Sequence, residues 1–405
     1  MSATDSLGIP ASTATVQVSI IDTTFDGDLP TAPFMGPAIK GFERWHGVGY
    51  AFLVTHADAE GNERRVLFDL GLPRDGDNDI SPPVIEAAKA MDARMTAQKY
   101  VSEILAENGV DLGSIEALIW SHAHPDHTGR PSLFPPSASL IVGPGVKQAY
   151  FPGWPAVPDA PVLAREFRGR EVRELDFSAA GLAVGGLDAL DYFGDGSFYL
   201  LSAPGHALGH LNALARTTPG GSFVYMAADS FHHPSVLRPH AGARLPDAVD
   251  VRAPGRPGGN GGGRLCCAGR AFHAIHPVAG NAAGLGHYSA VLGPAGGDAD
   301  GVAFHTIPET PEGDTLLALD VRGARETLAA VRRFDASPDV LVVASHDDSL
   351  HGVMEYFPKG ANGWKQKGWK ESGRWLFLGD FKKSLEVAGG QGSGEADKGP
   401  DGASS

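Results

Sequence analysis

One stretch of nine residues limits this chain more than any other feature. Ser121-His122-Ala123-His124-Pro125-Asp126-His127-Thr128-Gly129 directly follows the apolar run Ala117 to Trp120. That run reads as a buried strand, so the polar cluster falls at a strand end. In extended chain, side chains two apart point the same way, which lets His122 and His124 chelate one ion. Asp126 and His127 follow a proline that turns the chain, and so can face a second position. Ligands on a helix would need i, i+4 spacing, which this run lacks.

The rest of the chain supplies similar groups in similar places. Pro204-Gly205-His206-Ala207-Leu208-Gly209-His210 follows the apolar run Phe198 to Leu201. Asp229 follows Phe223 to Ala227, and His346 follows Val340 to Ala344. The chain has 16 histidines but only two cysteines, the adjacent Cys266 and Cys267. A disulfide framework or a four-cysteine zinc site is therefore excluded, and a bound metal would rest on imidazole and carboxylate. Zinc suits such donors, and so do manganese and iron.

Further strands are expected at Val16 to Ile20, Gly47 to Val54, Arg65 to Asp69, Leu140 to Val142 and Leu211 to Ala215. The separator His56 to Glu63, with Gly61-Asn62, suits a hairpin turn. Helical periodicity covers Ala97 to Asn108, stopped by Gly109, and Arg325 to Arg333. This interleaving predicts a layered α/β protein with mixed sheets. Residues 1–14 are expected to be a flexible N-terminus, 15–388 one catalytic domain, and 389–405 a disordered tail. A Gly/Ala/Pro-rich insertion lies at about 250–301.

The formal charge of −15 argues against nucleic acid or an anionic membrane as partner. No apolar stretch reaches membrane-spanning length, and no signal peptide is visible. A cytoplasmic protein acting on a small molecule is the expectation. Trp364, Trp369 and Trp375, interleaved with basic residues, read as a packed segment with a solvated basic face. Phe151, Trp154 and Phe193 are candidates for an apolar substrate wall, though aromatics are more often core.

The pattern His-x-His-x-Asp-His, then Gly-His, then Asp, then a late His resembles the metallo-β-lactamase fold hydrolases. The resemblance covers about Val16 to Lys383, apart from the insertion. It implies a four-layer αββα sandwich of two mixed β-sheets flanked by helices. It also implies two divalent metal ions, with His122, His124 and His206 on one and Asp126, His127 and His346 on the other. Asp229 would bridge them with a hydroxide that attacks a carbonyl, and Asp126 would also transfer a proton. His210 matches a supporting histidine, and Asp69 in Leu67-Phe68-Asp69-Leu70-Gly71 matches an early Asp turn beneath the metal loop.

Pro204 to His210 and His346-Asp347 look closest to the lactonase-like branch. The segments Val142 to Gly145 and Asp191 to Gly196 are similar to those of fungal members that open lactone or lactam rings. One departure stands out. Bacterial acyl-homoserine lactonases carry a carbonyl-polarising tyrosine three residues after the bridging Asp, where this chain has His232. The resemblance therefore implies a catalytic part for His232 or His233. It also leaves open a thioester hydrolase of the glyoxalase II kind and a catalytically silent metal-binding protein. His273, His276 and His287 are not expected to be ligands, and Cys266-Cys267 reads as incidental.

Overall fold

Alternation along the strands decides the layers. The computed structural model describes residues 3–58, 60–248, 272–276, 299–309 and 317–391. Its first sheet runs β1 (Val16–Asp22), β4 (Tyr50–Ala57), β5 (Glu63–Phe68), β7 (Ile115–Ile119), β8 (Ser139–Val142) and β9 (Val172–Glu174). The first two pairings are antiparallel and the remaining three parallel. The second sheet runs β10 (Ala183–Val184), β11 (Leu187–Asp191), β12 (Phe198–Ser202), β13 (Leu211–Arg216), β14 (Phe223–Ala228) and β15 (Val340–Ala344). Only its β14–β15 pairing is parallel.

Leu53, Leu67, Leu118 and Leu140 face outward onto Val101 and Leu105 of the helix Val101–Glu107. Their neighbours Phe52, Val66, Ile119 and Ile141 point the other way and meet Leu200, Ala213, Met226 and Leu341 of the second sheet. On that sheet's far face, Leu214, Tyr225 and Val342 pack on Leu328, Val331 and Phe334 of the helix Val321–Ala336. Three apolar seams thus separate four layers, helix–sheet–sheet–helix, as expected. The strands are buried on both faces, which is why several read as continuous apolar runs rather than strict alternations.

A third, antiparallel sheet was not expected. It pairs β2 (Phe25–Pro30) with β3 (Arg44–Gly47) on one side and β6 (Arg94–Ala97) on the other. It corrects two boundaries. The single strand expected over Gly47 to Val54 is divided between β3 and β4, with Gly49 at the break. A Cβ on Gly49 would lie 2.5 Å from Thr23 Oγ1. The helix expected from Ala97 begins at Val101, because Ala97 is drawn into β6 opposite Phe25. The hairpin over His56 to Glu63 joins β4 to β5, and the Asp58 carboxylate accepts the Asn62 N–H at 2.8 Å.

Residues 3–14 carry a short helix, Ala3–Leu7, and bury Leu7 and Ile9 against the second sheet's outer core. Trp364 and Trp369 enter the seam between the sheets. The basic face expected beside them is solvated only in part. Lys365 and Lys367 are exposed, but Lys370 is buried and donates to the carbonyls of Asp335, Ser337 and Val340 at 2.6–2.8 Å. Asp335 is in the last turn of Val321–Ala336 and Ser337 just past it, where carbonyls lack helical partners, and Val340 opens β15. Cys266-Cys267, His287, most of 250–301 and residues 392–405 lie outside the described residues.

Candidate metal centre

Four strand ends bring the seven expected groups together. After β7, Pro125 opens a one-turn helix, Pro125–Thr128, with His124 just before it. Proline fits a first helical turn because its missing N–H has no helical acceptor there. The turn carries Asp126 and His127 round to the side of the loop opposite His124. Asp69, at the end of β5, holds this loop. Its carboxylate accepts the Ser121 N–H at 2.7 Å and the His127 Nδ1–H at 2.8 Å. Burial pushes the Asp69 carboxyl up from its ordinary range, against the pull of His127.

His206 stands on the loop after β12. Gly205 before it has φ +123°, and a Cβ there would lie 1.9 Å from Ala324 N. Only glycine permits that approach to the helix Val321–Ala336. The Leu319 and Asp320 N–H groups donate to the His206 and Gly205 carbonyls at 3.0 and 2.8 Å. Asp229 follows β14, whose last residue, Ala228, takes the unusual φ of +43° at an irregularity in the β14–β15 ladder. His210 Nδ1–H donates to the Ala203 carbonyl at 2.8 Å, and His210 Nε2 accepts the Asp229 N–H at 3.2 Å. His210 therefore supports the Asp229 backbone and stays outside both ligand groups, as expected. His346 follows β15 and donates from Nδ1 to the Val48 carbonyl at 2.8 Å. Phe25 and Trp45 of the third sheet pack against its ring.

The ligand atoms fall into two groups: His122, His124, His206 and Asp229, then Asp126, His127 and His346. Asp229 faces both. Its Oδ2 lies 3.5 Å from His206 Nε2 and 3.8 Å from His122 Nε2. Its Oδ1 lies 3.2 Å from His127 Nε2 and 3.4 Å from His346 Nε2. His346 Nε2 is also 3.3 Å from Asp126 Oδ2.

These residues fit a metal. His206 Nε2 approaches His122 Nε2 at 3.2 Å and His124 Nδ1 at 3.1 Å. Ligands about 2.0–2.1 Å from a tetrahedral ion stand roughly 3.3 Å apart, so the spacing suits one. His127 Nε2 and Asp229 Oδ1 are buried without a hydrogen-bond partner. Such atoms are costly unless something else engages them. The Nδ1–H donations of His127 and His346 leave each Nε2 lone pair aimed at the cluster, as ligation requires.

As protein groups alone, the two halves titrate differently. Burial holds His122 and His206 well below the ordinary imidazole range, so they are neutral donors. Burial opposes charge on His346 too, but Asp229 and Asp126 overcome it and raise that imidazole to about 10. His127 is raised likewise against burial, chiefly by Asp229 and then Asp69. Burial opposes ionisation of Asp126, yet His127 and His346 bring it down to about 2.

His232 also reaches the site, with Nε2 3.3 Å from Asp229 Oδ2. His233 does not. Its ring is held by Ser235 Oγ at 2.7 Å and Asp380 at 3.1 Å, at the start of the helix Pro234–Leu237. Phe151, Trp154 and Phe193 pack away from the site, in line with the core reading of aromatics rather than a substrate wall. Phe193 stacks on His56 at the opposite end of the strands, and Phe151 packs on Phe167 with much of its ring exposed. Trp154 bridges to Leu163 within the loop before β9. His273 pairs with Asp300, and His276 with the Val302 carbonyl. The sequence reading missed Phe34, whose ring meets His232 edge-on at 4.8 Å. Its only local signal is an apolar residue beside Pro33.

The model of the metallo-β-lactamase superfamily matches residues 44–267, more than half the chain. The γ-lactamase FDB1 of Fusarium pseudograminearum is 37% identical over 377 residues, covering 92% of this chain and 84% of that protein. The metallo-hydrolase mfmC of Annulohypoxylon moriforme is 39% identical over 386 residues, covering 94% and 91%. In fold, a solved quorum-quenching N-acyl homoserine lactone hydrolase aligns with a TM-score of 0.50 at 12% identity, covering 86% of this chain and 99% of that one. With the His/Asp cluster at the ends of its sheets and these relatives, the chain belongs to the metallo-β-lactamase superfamily and is a hydrolase.

Proposed function

We propose that the protein is a dinuclear metal-dependent hydrolase that opens a small cyclic amide or ester. The observation that carries this reading is the division of Asp229, one oxygen toward His122 and His206, the other toward His127 and His346. A carboxylate so shared suits two ions side by side. His122, His124 and His206 would hold one, Asp126, His127 and His346 the other, with Asp229 common to both. Imidazole and carboxylate donors of this kind suit zinc, and manganese or iron as well. Two such ions would supply Lewis acidity, giving a nucleophile from water at neutral pH and a polarised carbonyl. The γ-lactamase relative supports a lactam as substrate.

The chain's own residues do the rest. Asp126 is ionised at neutral pH and is the more exposed of the two site carboxylates. It takes the proton from the attacking water and returns it to the departing nitrogen or oxygen. His232 lies beside Asp229 on the open side and donates from its ring to the oxygen that gains charge. The buried imidazoles keep bulk water from the reacting carbonyl.

The test is metal analysis after zinc reconstitution, joined to a hydrolysis panel of lactams, lactones, thioesters and phosphodiesters. Two ions per chain and turnover of the rings are expected. Fewer than one ion per chain overturns the reading, and preference for thioesters replaces it with the thioesterase alternative. Asp126→Asn and His232→Ala should each lower kcat about 100-fold or more while folding is retained.

A further inference from the structure

Each imidazole that ligates through one nitrogen must place the other somewhere. His127 gives its Nδ1–H to Asp69, and His346 gives its own to the Val48 carbonyl. His122 has a different neighbour. Its Nδ1 lies 3.0 Å from Ser121 Oγ, and among the described residues it has no other hydrogen-bond partner. The same oxygen stands 3.3 Å from His127 Nδ1, so one hydroxyl touches an imidazole of each ligand group. Ser121 and the His122 side chain are both fully buried, which keeps bulk water from taking over the contact.

The direction of this bond decides what His122 can do. A serine hydroxyl both donates and accepts, and a neutral imidazole has one nitrogen of each kind. Were Ser121 to donate to His122 Nδ1, the ring proton would sit on Nε2 and point toward His206 Nε2, 3.2 Å away. Ligation through Nε2 needs the reverse, with Nδ1–H donating and Ser121 Oγ accepting. His127 favours that direction. Its Nδ1–H, bound to Asp69 at 2.8 Å, presents a hydrogen and no lone pair to the same oxygen. The hydroxyl hydrogen is then left to turn toward the Asp69 carboxylate, which already takes the Ser121 N–H at 2.7 Å.

The Ser121 backbone is held independently of its side chain. Its N–H goes to Asp69, and its carbonyl accepts the Leu211 N–H of β13 at 2.8 Å. The residue thus joins the end of a first-sheet strand to the start of a second-sheet strand. Replacing the hydroxyl with hydrogen leaves both of these bonds and strips His122 of its outer acceptor.

We propose that Ser121 is the positioning residue of the first ion, its hydroxyl fixing His122 with the proton on Nδ1 and the Nε2 lone pair toward the cluster. The proposal rests on the two-ion reading above and deepens it. His127 keeps Asp69 as its acceptor, so loss of the hydroxyl acts on one half of the centre.

The test is zinc titration by calorimetry in two backgrounds. His346→Ala removes a ligand of the second group, and His206→Ala one of the first. Adding Ser121→Ala to His346→Ala should weaken the remaining ion about 10–100-fold. Adding it to His206→Ala should change the remaining ion by less than about threefold. An unchanged first ion, or equal weakening in both backgrounds, overturns the proposal. A second readout needs no substitution at Ser121. Nitrogen NMR of the zinc-loaded wild type with labelled histidine, assigned by the signal lost in His122→Gln, should show His122 protonated at Nδ1 and bare at Nε2. A proton on Nε2 overturns the proposal even if Ser121→Ala fails to fold. If the wild type takes one ion and Ser121→Ala weakens it, the positioning role stands and the two-ion reading fails. If the wild type takes two and Ser121→Ala leaves both unchanged, the reverse follows.

Discussion

Asp69→Asn should separate the two halves of the metal centre. The carboxylate accepts two donors, the Ser121 N–H at 2.7 Å and the His127 Nδ1–H at 2.8 Å. An asparagine oxygen can sit at only one of these positions, and the amide NH₂ then faces the other. The Ser121 N–H cannot cease to be a donor, so the oxygen goes there. The NH₂ is left against His127 Nδ1, which must become an acceptor, and the ring proton moves to Nε2. That atom faces Asp229 Oδ1 at 3.2 Å and would be a ligand to the second ion. Losing such an outer partner costs about 10–100-fold in metal affinity, or roughly 1.4–2.7 kcal/mol. Zinc titration by calorimetry should show one ion bound as in the wild type and one weakened by that factor. The first group, His122, His124 and His206, makes no hydrogen bond with Asp69 and should be spared. Circular dichroism checks that the fold is kept. Two ions bound with wild-type affinity, or both weakened equally, would refute the tautomer argument.

The protonated state of His346 and His127 gives a pH prediction. With His346 at about 10 and His127 also raised, both carry protons at pH 7 that a metal must displace. Affinity for the second ion should therefore rise with pH, up to about a hundredfold per unit for two protons, and calorimetry in buffers of different ionisation heat should detect their release. Without metal the sign reverses for stability. The raised His346 stabilises the fold fully below its ordinary 6.5, and this is lost as pH rises through about 10. Urea melts of metal-free protein between pH 6 and 10 check this, and flat stability would contradict it. Lys370→Met removes the donor to three buried carbonyls. It should cost roughly 3 kcal/mol in a urea melt, and a loss under about 0.5 kcal/mol would mean those carbonyls find other partners. Gly205→Ala forces a Cβ into the Ala324 backbone and should destabilise by about 3 kcal/mol or more, weakening the His206 group in particular. Wild-type zinc affinity in that variant would show that the loop can move aside.

Much of the centre was legible because its parts are local. His122 to His127 lie within one turn-forming run, and His206, Asp229 and His346 each follow an apolar strand by a few residues. The α/β layering was legible from apolar runs interleaved with helical periodicity. The four-layer order followed from the family resemblance, since strands buried on both faces do not show by alternation which face meets which layer. What escaped depends on contacts between distant segments. β6 forms because Arg94–Ala97 finds β2 as a partner, and no periodicity within four residues announces that. Phe34 reaches His232 on a segment that Gly36 ties to Thr306 by backbone bonds, groups that every sequence possesses. Which aromatics could reach the site was open for the same reason. Phe193 has the right chemistry, but the turn between β11 and β12 puts it at the wrong end of the strands.

The seven candidate ligands are split between the sheets. His122, His124, Asp126 and His127 hang from the first, and His206, Asp229 and His346 from the second. The seam holding Phe52, Val66, Ile119, Leu200, Met226 and Leu341 therefore sets the gauge of the centre as well as its stability. A slide of one sheet over the other by a fraction of an ångström would retune every distance across Asp229. Substitutions deep in that seam, well away from any ligand, thus belong among the changes by which activity and metal preference can drift.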